Sequence, residues 1–354
     1  MKSHKVIGLM SGSSLDGLDI AVCEFQMENH QLKAWQLLYS ETIELPFFLR
    51  EQLYEPLKLS EASIQSLESE LTDFFIDSIK RIRTNHPDID LIGSHGHTIQ
   101  HLPKQKITRQ LGDIGKMADA LQLPVVGDFR QQDLLAGGVG TPMAPLADKD
   151  LFSGYQFYLN LGGIANVSYQ QDGDWSAYDI AAANQVLNFF AQKEGLEFDK
   201  DGDMAEEGNL SRDLLDFLLT HPFVNRAHPK SLDNSEVMKE WIIPIENFNL
   251  SVRDTLYTYT EFLALLLQKT FAEAGIQEGK ILITGGGAHN KYLIEKFYHH
   301  NPAIDFSPAS NDTINFKEAI LIAYAALLKK CEIPNFIGSV TGASEDVVGG
   351  TIVG

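Results

Sequence analysis

The stretch that decides the fold reads Gly8-Leu9-Met10-Ser11-Gly12-Ser13-Ser14-Leu15-Asp16-Gly17-Leu18-Asp19. Val6 to Met10 and Gly17 to Phe25 have the composition of two strands, and the Ser, Gly and Asp residues between them tolerate turn backbones. Such a turn directs successive N–H groups and small hydroxyls at one place, which suits a phosphate. Asp16 and Asp19 stand beside it, where carboxylates hold Mg²⁺ directly or through water. The turn alone favours an ordinary solvated hairpin, so the rest of the chain has to decide.

Length and charge narrow the class of protein. The 354 residues, 44% of them hydrophobic and 21% charged, predict a globular chain with room for two cores. A net charge of −20, from 48 acidic and 28 basic residues without a basic run, argues against nucleic acid and anionic membranes as partners.

The cysteines and the first residues point to a compartment. Cys23 and Cys331 lie in apolar segments without a CxxC motif, which predicts buried thiols in a reducing environment. The first residues run directly into a strand, with no signal peptide and no apolar run of membrane length. We therefore expect a cytoplasmic protein.

A pattern of strand, turn, strand, strand and helix occurs twice, about 150 residues apart, which is the size of an ordinary domain. In the first copy the hairpin is followed by a strand over 32–45 and helices over 46–57 and 60–83. The second copy has strands at 157–161, 167–170 and 175–180, with a tight turn over Gly162–Asn166. This alternation predicts an α/β fold with mixed sheets in two domains. We expect a nucleotide in a cleft between two glycine turns, with closure on binding.

The remaining periodic segments complete this plan. Further strands are predicted at 90–93, 99–102, 125–130 and 280–284, and helices at 113–121, 182–193, 211–219, 256–271 and 315–330. A glycine-rich segment, 136–142, suggests a domain crossing. The last helix is placed to pack back on the first domain.

Competing chemical motifs are absent or weak. The chain has neither GxxxxGK[ST] nor GxGxxG after a strand, and no GxSxG elbow. His95, His97 and His101 form an HxHxxxH cluster, in which i and i+2 side chains share a strand face and a metal site is conceivable. No helper His or Cys motif lies nearby and Gly96 loosens the geometry, so we favour a polar cluster on the substrate side.

Several motifs, in this order, resemble one family from end to end. They are Gly8–Asp19, Ser94-His95-Gly96 with Thr98, His101 and Pro103, Gly112-Asp113, Asp128-Phe129-Arg130 with Asp133, Gly137-Gly138 with Gly140 and Pro142, Leu159–Val167, Lys230-Ser231, Gly285–Ala288 with Asn290, Glu318-Ala319, and Val340–Ala343. The chain resembles the anhydro-N-acetylmuramic acid kinases, of the actin-like, sugar-kinase-type ATPase superfamily.

The resemblance implies two actin-like, ribonuclease-H-like domains with mixed sheets flanking a nucleotide cleft. The first would comprise residues 1–136 and about 315–354, and the second 137–314. It also implies that water opens the 1,6-anhydro ring of anhydro-N-acetylmuramic acid and that O6 is phosphorylated from ATP. The product, N-acetylmuramic acid 6-phosphate, belongs to cell-wall recycling. ATP and Mg²⁺ are the implied cofactors, the anhydrosugar is the small-molecule partner, and a homodimer is possible.

The resemblance also assigns roles by position. ATP phosphates would be held by Gly12, Ser13, Ser14, Leu15, Asp16, Gly17, Leu18 and Asp19 and by the second turn, Gly162 and Gly163, while Gly285, Gly286 and Gly287 approach the adenosine. Asp16 and Asp19 are the metal candidates. Asp179 would be the general base for the water, which suits a carboxylate at a strand end before a helix. The substrate candidates are His95, His97, Arg130, Asp133, Asn184 and Glu318. For Arg130, a structural salt bridge is an equal alternative.

The chain departs from the family pattern at four places. Ser13 stands for Thr, His97 for Gln, Ile180-Ala181-Ala182-Ala183 for Thr-Gly-Pro-Gly, and Leu232-Asp233-Asn234-Ser235 for Thr-Gly-Arg-Glu. We predict that Ala181 to Ala183 begin a helix with negative φ and present N–H groups to the cleft, because alanine favours helices and first-turn N–H groups are free. A catalytically impaired nucleotide-binding sensor or partner of the same fold, or a kinase for another sugar, is the alternative function.

Overall fold

The computed structural model describes residues 1–12, 15, 17–228, 230–233 and 236–354. Contacts divide the chain into unit 1, Met1–Phe152 with Phe316–Gly354, and unit 2, Ser153–Asn315. The boundary predicted after residue 136 therefore falls within unit 1. Within the described part of the chain, no helix combines the length and apolar character needed to cross a bilayer.

Unit 1 is built around one mixed sheet. Its strands are β1 (Lys2–Ser11), β2 (Gly17–Glu28), β3 (Gln31–Glu44), β4 (Leu91–Leu102), β5 (Ile107–Leu111), β6 (Val125–Gly127) and β12 (Thr351–Val353). Its helices are α1 (Phe47–Tyr54), α2 (Glu61–Arg83), α3 (Ile114–Leu121), α4 (Arg130–Leu135), α5 (Ala144–Asp150) and α13 (Gly338–Thr341), together with α12 (Asn311–Lys330) from Phe316 onward.

The strand order in this sheet is β12-β6-β4-β1-β2-β3, with β5 paired to β4. Strands β1, β4 and β6 run parallel, whereas β1, β2 and β3 form an antiparallel meander. The carboxyl ends of the three parallel strands therefore meet at one edge, as they do in sheets that bind ligands at strand ends.

Each face of this sheet has its own core. Val6 and Phe25 pack with the apolar residues of α12, while Ile7 and Ile20 pack with α2. Successive residues of a strand point to opposite faces, so the nearly continuous apolar run of β1 serves both layers. Ser60 caps α2 by accepting from the backbone N–H of Ser63, as its position before the periodic segment indicates.

A pair of glycines lets α12 approach the sheet. Gly8 and Gly93 are partners in the parallel register of β1 and β4. A Cβ on Gly8 would lie 1.9 Å from the carbonyl oxygen of Ala319, and one on Gly93 would lie 2.6 Å from that of Ile322. Backbone thus packs directly on backbone, which fixes the depth of α12 and the position of the residues at its start.

Unit 2 repeats the plan with five strands: β7 (Phe157–Leu161), β8 (Ile164–Gln171), β9 (Asp174–Ala182), β10 (Gly279–Thr284) and β11 (Ile304–Pro308). Its helices are α6 (Asn184–Gln192), α7 (Asp203–Glu206), α8 (Arg212–Leu219), α9 (Ile243–Glu246), α10 (Val252–Glu273) and α11 (Lys291–His300), with a π-helical segment (Val237–Ile242) before α9.

The order β11-β10-β7-β8-β9 places the first strand of an antiparallel meander beside two parallel strands. This is the arrangement of β6-β4-β1-β2-β3 in unit 1. A single apolar cluster surrounds α10 and includes Trp241, Tyr259 and Phe262. The predicted α/β class with two mixed sheets is confirmed by these two topologies.

Several predicted boundaries were wrong. Strand β4 continues through His95 and His97 as one strand with an irregular register, because Gly96, at φ 69°, absorbs the bulge. Strand β6 ends at Gly127, since Asp128 turns to a φ of 52° and Arg130 starts α4. Cys331 is only half-buried, whereas Cys23 lies in the core.

Candidate functional site

The first predicted site, the turn between β1 and β2, lies at the carboxyl edge of the unit 1 sheet. Ser13, Ser14 and Asp16 lie outside the described residues. The backbone N–H of Leu15 donates to the carbonyl of Gly12 over 3.2 Å, and Leu15 has a φ of 61°. Gly17 is required because a Cβ there would lie 2.7 Å from the carbonyl oxygen of Ile43. Leu18 is buried in the core, so its side chain serves packing and only its backbone remains for a ligand.

The histidines of β4 face this edge. Ser11, the last residue of β1, lies 3.0 Å through Oγ from Nδ1 of His97, and both side chains are buried. Burial lowers the pKa of His97 to about 4, so the ring is neutral at pH 7. No hydrogen bond from a described residue reaches its Nε2, which leaves that nitrogen for a ligand.

His95 and Arg130 form a second pair. Nη2 of Arg130 donates to Nε2 of His95 over 2.9 Å, and the other ring nitrogen, Nδ1, lies 3.1 Å from the carbonyl of Gly96. This pattern requires the neutral ring protonated on Nδ1. Burial and then the Arg130 charge lower the pKa of His95 to about 3, in agreement with that tautomer.

Arg130 is a cation at the strand edge without a conventional ion pair. Among the described residues no carboxylate lies within ion-pair distance, and its buried Nε has no hydrogen-bond partner. Desolvation lowers the pKa of Arg130 to about 10, and Glu318, near the start of α12 in unit 1, opposes that shift. The salt-bridge alternative is thus disfavoured for the described part of the chain, and the charge of the guanidinium is not neutralised by an ion pair there.

Glu318 and Asp19 bring two carboxylates to this edge. Desolvation raises the pKa of Glu318, and the charge of Asp19 raises it further. Oδ1 of Asp19 accepts a hydrogen bond from the hydroxyl of Thr42 on β3. The packing of α12 on the glycine pair is what carries Glu318, one residue before Ala319, to this position.

Asp133, a predicted substrate residue, instead holds the protein together. It is fully buried, and its Oδ2 accepts from the N–H of Gly140 over 2.7 Å, while Oδ1 accepts from the hydroxyl of Thr341 over 2.7 Å. A Cβ on Gly138 would strike this carboxylate at 2.2 Å. Both oxygens are used to fold the glycine-rich segment after α4, and the sugar contact stays a prediction.

The glycine turns of unit 2 meet at the carboxyl edge of its sheet. Gly285, at φ 80°, follows β10, and a Cβ there would lie 2.6 Å from the carbonyl carbon of Leu161. A Cβ on Gly287 would lie 2.8 Å from Cβ of Leu161, whereas one on Gly286 would have no neighbour closer than 3.9 Å. Gly285 and Gly287 therefore permit the packing of two chain segments, and Gly286 alone faces open space.

Asn184 and the second turn join these segments. Nδ2 of Asn184 donates to the carbonyl of Leu161 over 2.9 Å, so its amide is engaged within the protein. The carbonyls of Gly162 and Gly163 accept from the backbone N–H groups of Asn184 and Ala183 at 3.2 and 2.8 Å. The turn thus caps α6 with its own carbonyls.

This capping corrects the prediction for the alanine run. Ala181 and Ala182 end β9, and Ala183, at φ −132°, is the N-cap of α6, so the three alanines do not start the helix. None of them has positive φ, as expected. The N–H of Ala183 is bonded to Gly163, so it is not free for an anion.

Asp179 lies on β9, three residues before the strand ends. Oδ2 accepts from the N–H of Leu232 at 2.8 Å and from the hydroxyl of Ser231 at 3.3 Å, and the N–H of Asp179 donates to the carbonyl of Lys230 at 3.0 Å. Desolvation is the largest effect on its pKa and raises it, although these hydrogen bonds and the Lys230 charge oppose the rise. A half-buried carboxylate with a raised pKa is a candidate proton acceptor.

An apolar cavity of about 360 Å³ adjoins the 285–289 turn. Its lining residues are Ala288, Lys291, Ile294, Glu295, Tyr298 and Pro308. The walls come from α11 and the end of β11, so the cavity is formed within unit 2 alone.

Sequence reasoning missed the residues that hold the predicted groups. Ser11 and Ser231 were named only within motifs, and the N–H of Leu232 has no sequence signal because any residue but proline provides one. The sequence signal that could have indicated Ser231 is a serine directly beside a charged residue in a motif.

The chain is similar to proteins of one family over nearly its whole length. Residues 4–354 match the family model described as "Anhydro-N-acetylmuramic acid kinase". Proteins of that name from Zymomonas mobilis and Methylobacterium nodulans are 33% and 31% identical, with 98% of both chains covered in each case. The solved structure of (R)-2-hydroxyglutaryl-CoA dehydratase component A from Acidaminococcus fermentans is 11% identical, with a TM-score of 0.45 and coverage of 93% of this chain and 99% of that one.

Proposed function

Because the chain belongs to the anhydro-N-acetylmuramic acid kinase family, we propose that it opens the anhydro ring with water and transfers a phosphoryl group from ATP to O6. The product is N-acetylmuramic acid 6-phosphate. The observation that carries the base assignment is Asp179, whose Oδ2 is held by two donors and whose pKa is raised.

Asp179 takes a proton from the water that attacks the anomeric carbon. The bond between that carbon and O6 breaks, and O6 leaves with the electron pair. It then attacks the γ-phosphorus of ATP, and ADP departs with the electrons of the broken phosphorus–oxygen bond. Phosphoryl transfer needs positioning and charge stabilisation more than covalent help from the protein.

The edge of the unit 1 sheet is proposed to bind the phosphates. The turn from Gly12 to Asp19 would supply backbone donors, as glycine-rich turns do for anions. Asp19 would hold Mg²⁺ directly or through water, and Mg²⁺ would neutralise charge on the phosphates. The residues fit such an ion, because the carboxylates of Asp19 and Glu318 repel each other and a dication would relieve that repulsion. The described residues include no group of three metal-ligating side chains, which suits an ion that keeps waters and phosphate oxygens.

Arg130 and His97 are proposed to contact the sugar, with His95 beside them as the residue that orients Arg130. The guanidinium of Arg130, without an ion-pair partner among the described residues, offers a positive charge to a carboxylate, and Nε2 of neutral His97 offers a hydrogen bond. Neutral His95 orients the guanidinium by accepting from Nη2, and it adds no second charge.

The turn of unit 2 is proposed to approach the adenosine. Gly286 has open space on its Cβ side, and the neighbouring apolar cavity suits a flat base. Two free cysteines support a reducing, cytoplasmic location, and a homodimer stays a prediction that mass measurement in solution decides.

The Asp179→Asn variant tests this function. The amide keeps the shape but does not accept the proton, so kcat with ATP and the anhydrosugar should fall about 10²- to 10⁴-fold. Product mass identifies the reaction, and calorimetry should show unchanged ATP affinity. Asp174→Asn, on the exposed start of the same strand, is the control and should retain the wild-type rate. A near-wild-type rate in Asp179→Asn contradicts the base assignment, and a wild-type protein inactive on the anhydrosugar contradicts the substrate.

A further inference from the structure

Described residues donate hydrogen bonds to only one oxygen of the Asp179 carboxylate. Both described donors, Ser231 Oγ and Leu232 N, reach Oδ2. No hydrogen bond from a described residue reaches Oδ1. The torsion that rotates an aspartate carboxylate is broad and nearly two-fold, so without such donors the two oxygens exchange places easily.

The donors come from a segment that is itself anchored. The N–H of Asp179 donates to the carbonyl of Lys230, which aligns the segment with β9 in the manner of a short added strand. Nζ of Lys230 donates to the carbonyls of Phe223 and Val224 at 3.0 and 2.9 Å and lies 5.0 Å from the centre of the Phe223 ring. Desolvation lowers the pKa of this ammonium to about 8. Two of its three N–H donors bond to backbone carbonyls of the chain, so Lys230 acts as an anchor for the segment.

We propose that Lys230, Ser231 and Leu232 form a clamp that immobilises Oδ2 of Asp179 and leaves Oδ1 as the proton acceptor, with Ser231 as a positioning residue. This inference rests on the proposed function, because it assumes that Asp179 is the base. The clamp spans the point where this sequence departs from the family pattern, because Lys230 and Ser231 keep that pattern and Leu232 is the first residue that departs from it.

The clamp also affects the pKa of the Asp179 carboxylate. Desolvation disfavours the charged form of the Asp179 carboxylate and raises its pKa. The hydrogen bonds to Oδ2 and the charge of Lys230 favour the charged form and oppose that rise. Loss of the Ser231 hydroxyl removes one of the groups that keep the base ionised. The acid limb of the pH–rate profile then moves to higher pH.

The experiment measures kcat, both KM values and the pH profile of kcat/KM for the full-length enzyme with ATP and the anhydrosugar. Ser231→Ala should lower kcat about 3- to 30-fold and move the acid limb up by about half to one pH unit, with KM for ATP unchanged. Ser231→Thr keeps the hydroxyl and should restore the profile. Ser176→Ala, the same change on β9 away from the carboxylate, should leave kcat and the profile unchanged.

Two outcomes of the single variants overturn the clamp. One is an unshifted acid limb in Ser231→Ala, and the other is an equal loss in Ser231→Thr. The double variant Asp179→Asn/Ser231→Ala separates the clamp from the base assignment. The clamp requires that Ser231→Ala costs nothing further once the carboxylate is gone, and an additional loss counts against it. If Asp179→Asn keeps a near-wild-type rate, the proposed function itself fails, whatever Ser231 does.

Discussion

The carboxyl edges of the two sheets share a topology and differ in what stands on it. In unit 1 the edge gathers charged and titratable groups, among them His95, His97, Arg130 and Glu318. In unit 2 the turn residues are glycines held by amide and carbonyl contacts, and the carboxylate of Asp179 lies back along β9. The same strand order therefore carries different sets of functional residues in the two units. This is possible because the side chains at the strand ends do not determine how the sheet packs against its helices.

Glycine shows the same division. Gly8 and Gly93 lie within strands, where helix α12 needs their missing side chains. Gly285 and Gly287 lie after a strand, where two turns cross. Gly286, between them, has no such neighbour. The atoms that a Cβ would contact therefore distinguish the glycines required for packing from Gly286, which has space for a ligand.

The largest expected effect is on the packing glycine of unit 1. Gly8→Ala places a methyl group 1.9 Å from a backbone oxygen and 2.7 Å from the backbone nitrogen of Ala323. Overpacking of this kind costs about 1–3 kcal/mol, and this site should reach the upper end because backbone has to move. Urea unfolding measures it. Gly162→Ala in unit 2, whose Cβ would have its nearest neighbour at 3.4 Å, is the control and should cost less. Equal costs would break the comparison.

The next effect separates neighbouring glycines in unit 2. Gly286→Ala should leave Tm unchanged and weaken ATP binding about tenfold, because its methyl group enters the space proposed for the adenosine. Gly285→Ala is the matched variant and should lower Tm, since it adds a Cβ at φ 80° against Leu161. Thermal melts and calorimetry distinguish the two. An unchanged ATP affinity in folded Gly286→Ala would remove the adenosine assignment.

The smallest effect concerns acid stability in unit 1. Burial lowers the pKa of His97 to about 4 in the folded chain, from 6.5. The unfolded chain therefore binds more protons between these pH values, so stability is retained above pH 6.5 and falls as the pH drops toward 4. The loss attributable to His97 at pH 5 is on the order of 1–2 kcal/mol. His97→Gln, the residue usual in the family, should flatten the dependence of urea midpoint on pH. An identical pH dependence in both proteins would show that other groups carry the acid sensitivity.

The sequence by itself determined the class of fold and most elements. Alternating strand and helix patterns, with Ser60 as a cap, placed β1, β7, α2 and α8 within a residue or a few of their bounds. Apolar periodicity and cap chemistry are local, so they are readable without the fold. The motif order also identified the family, which the comparisons confirmed.

The tertiary structure alone decided which polar residues are free. Asp133 and Asn184 are of residue types that often contact ligands. In the fold, however, Asp133 accepts a hydrogen bond from the distant Thr341, and the amide of Asn184 donates one to the carbonyl of Leu161. The three alanines after Ile180 favour a helix locally, but pairing with β8 keeps Ala181 and Ala182 in a strand. Hydrogen-bond satisfaction and strand pairing depend on contacts between remote segments, and no local pattern encodes which donor a buried carboxylate will meet.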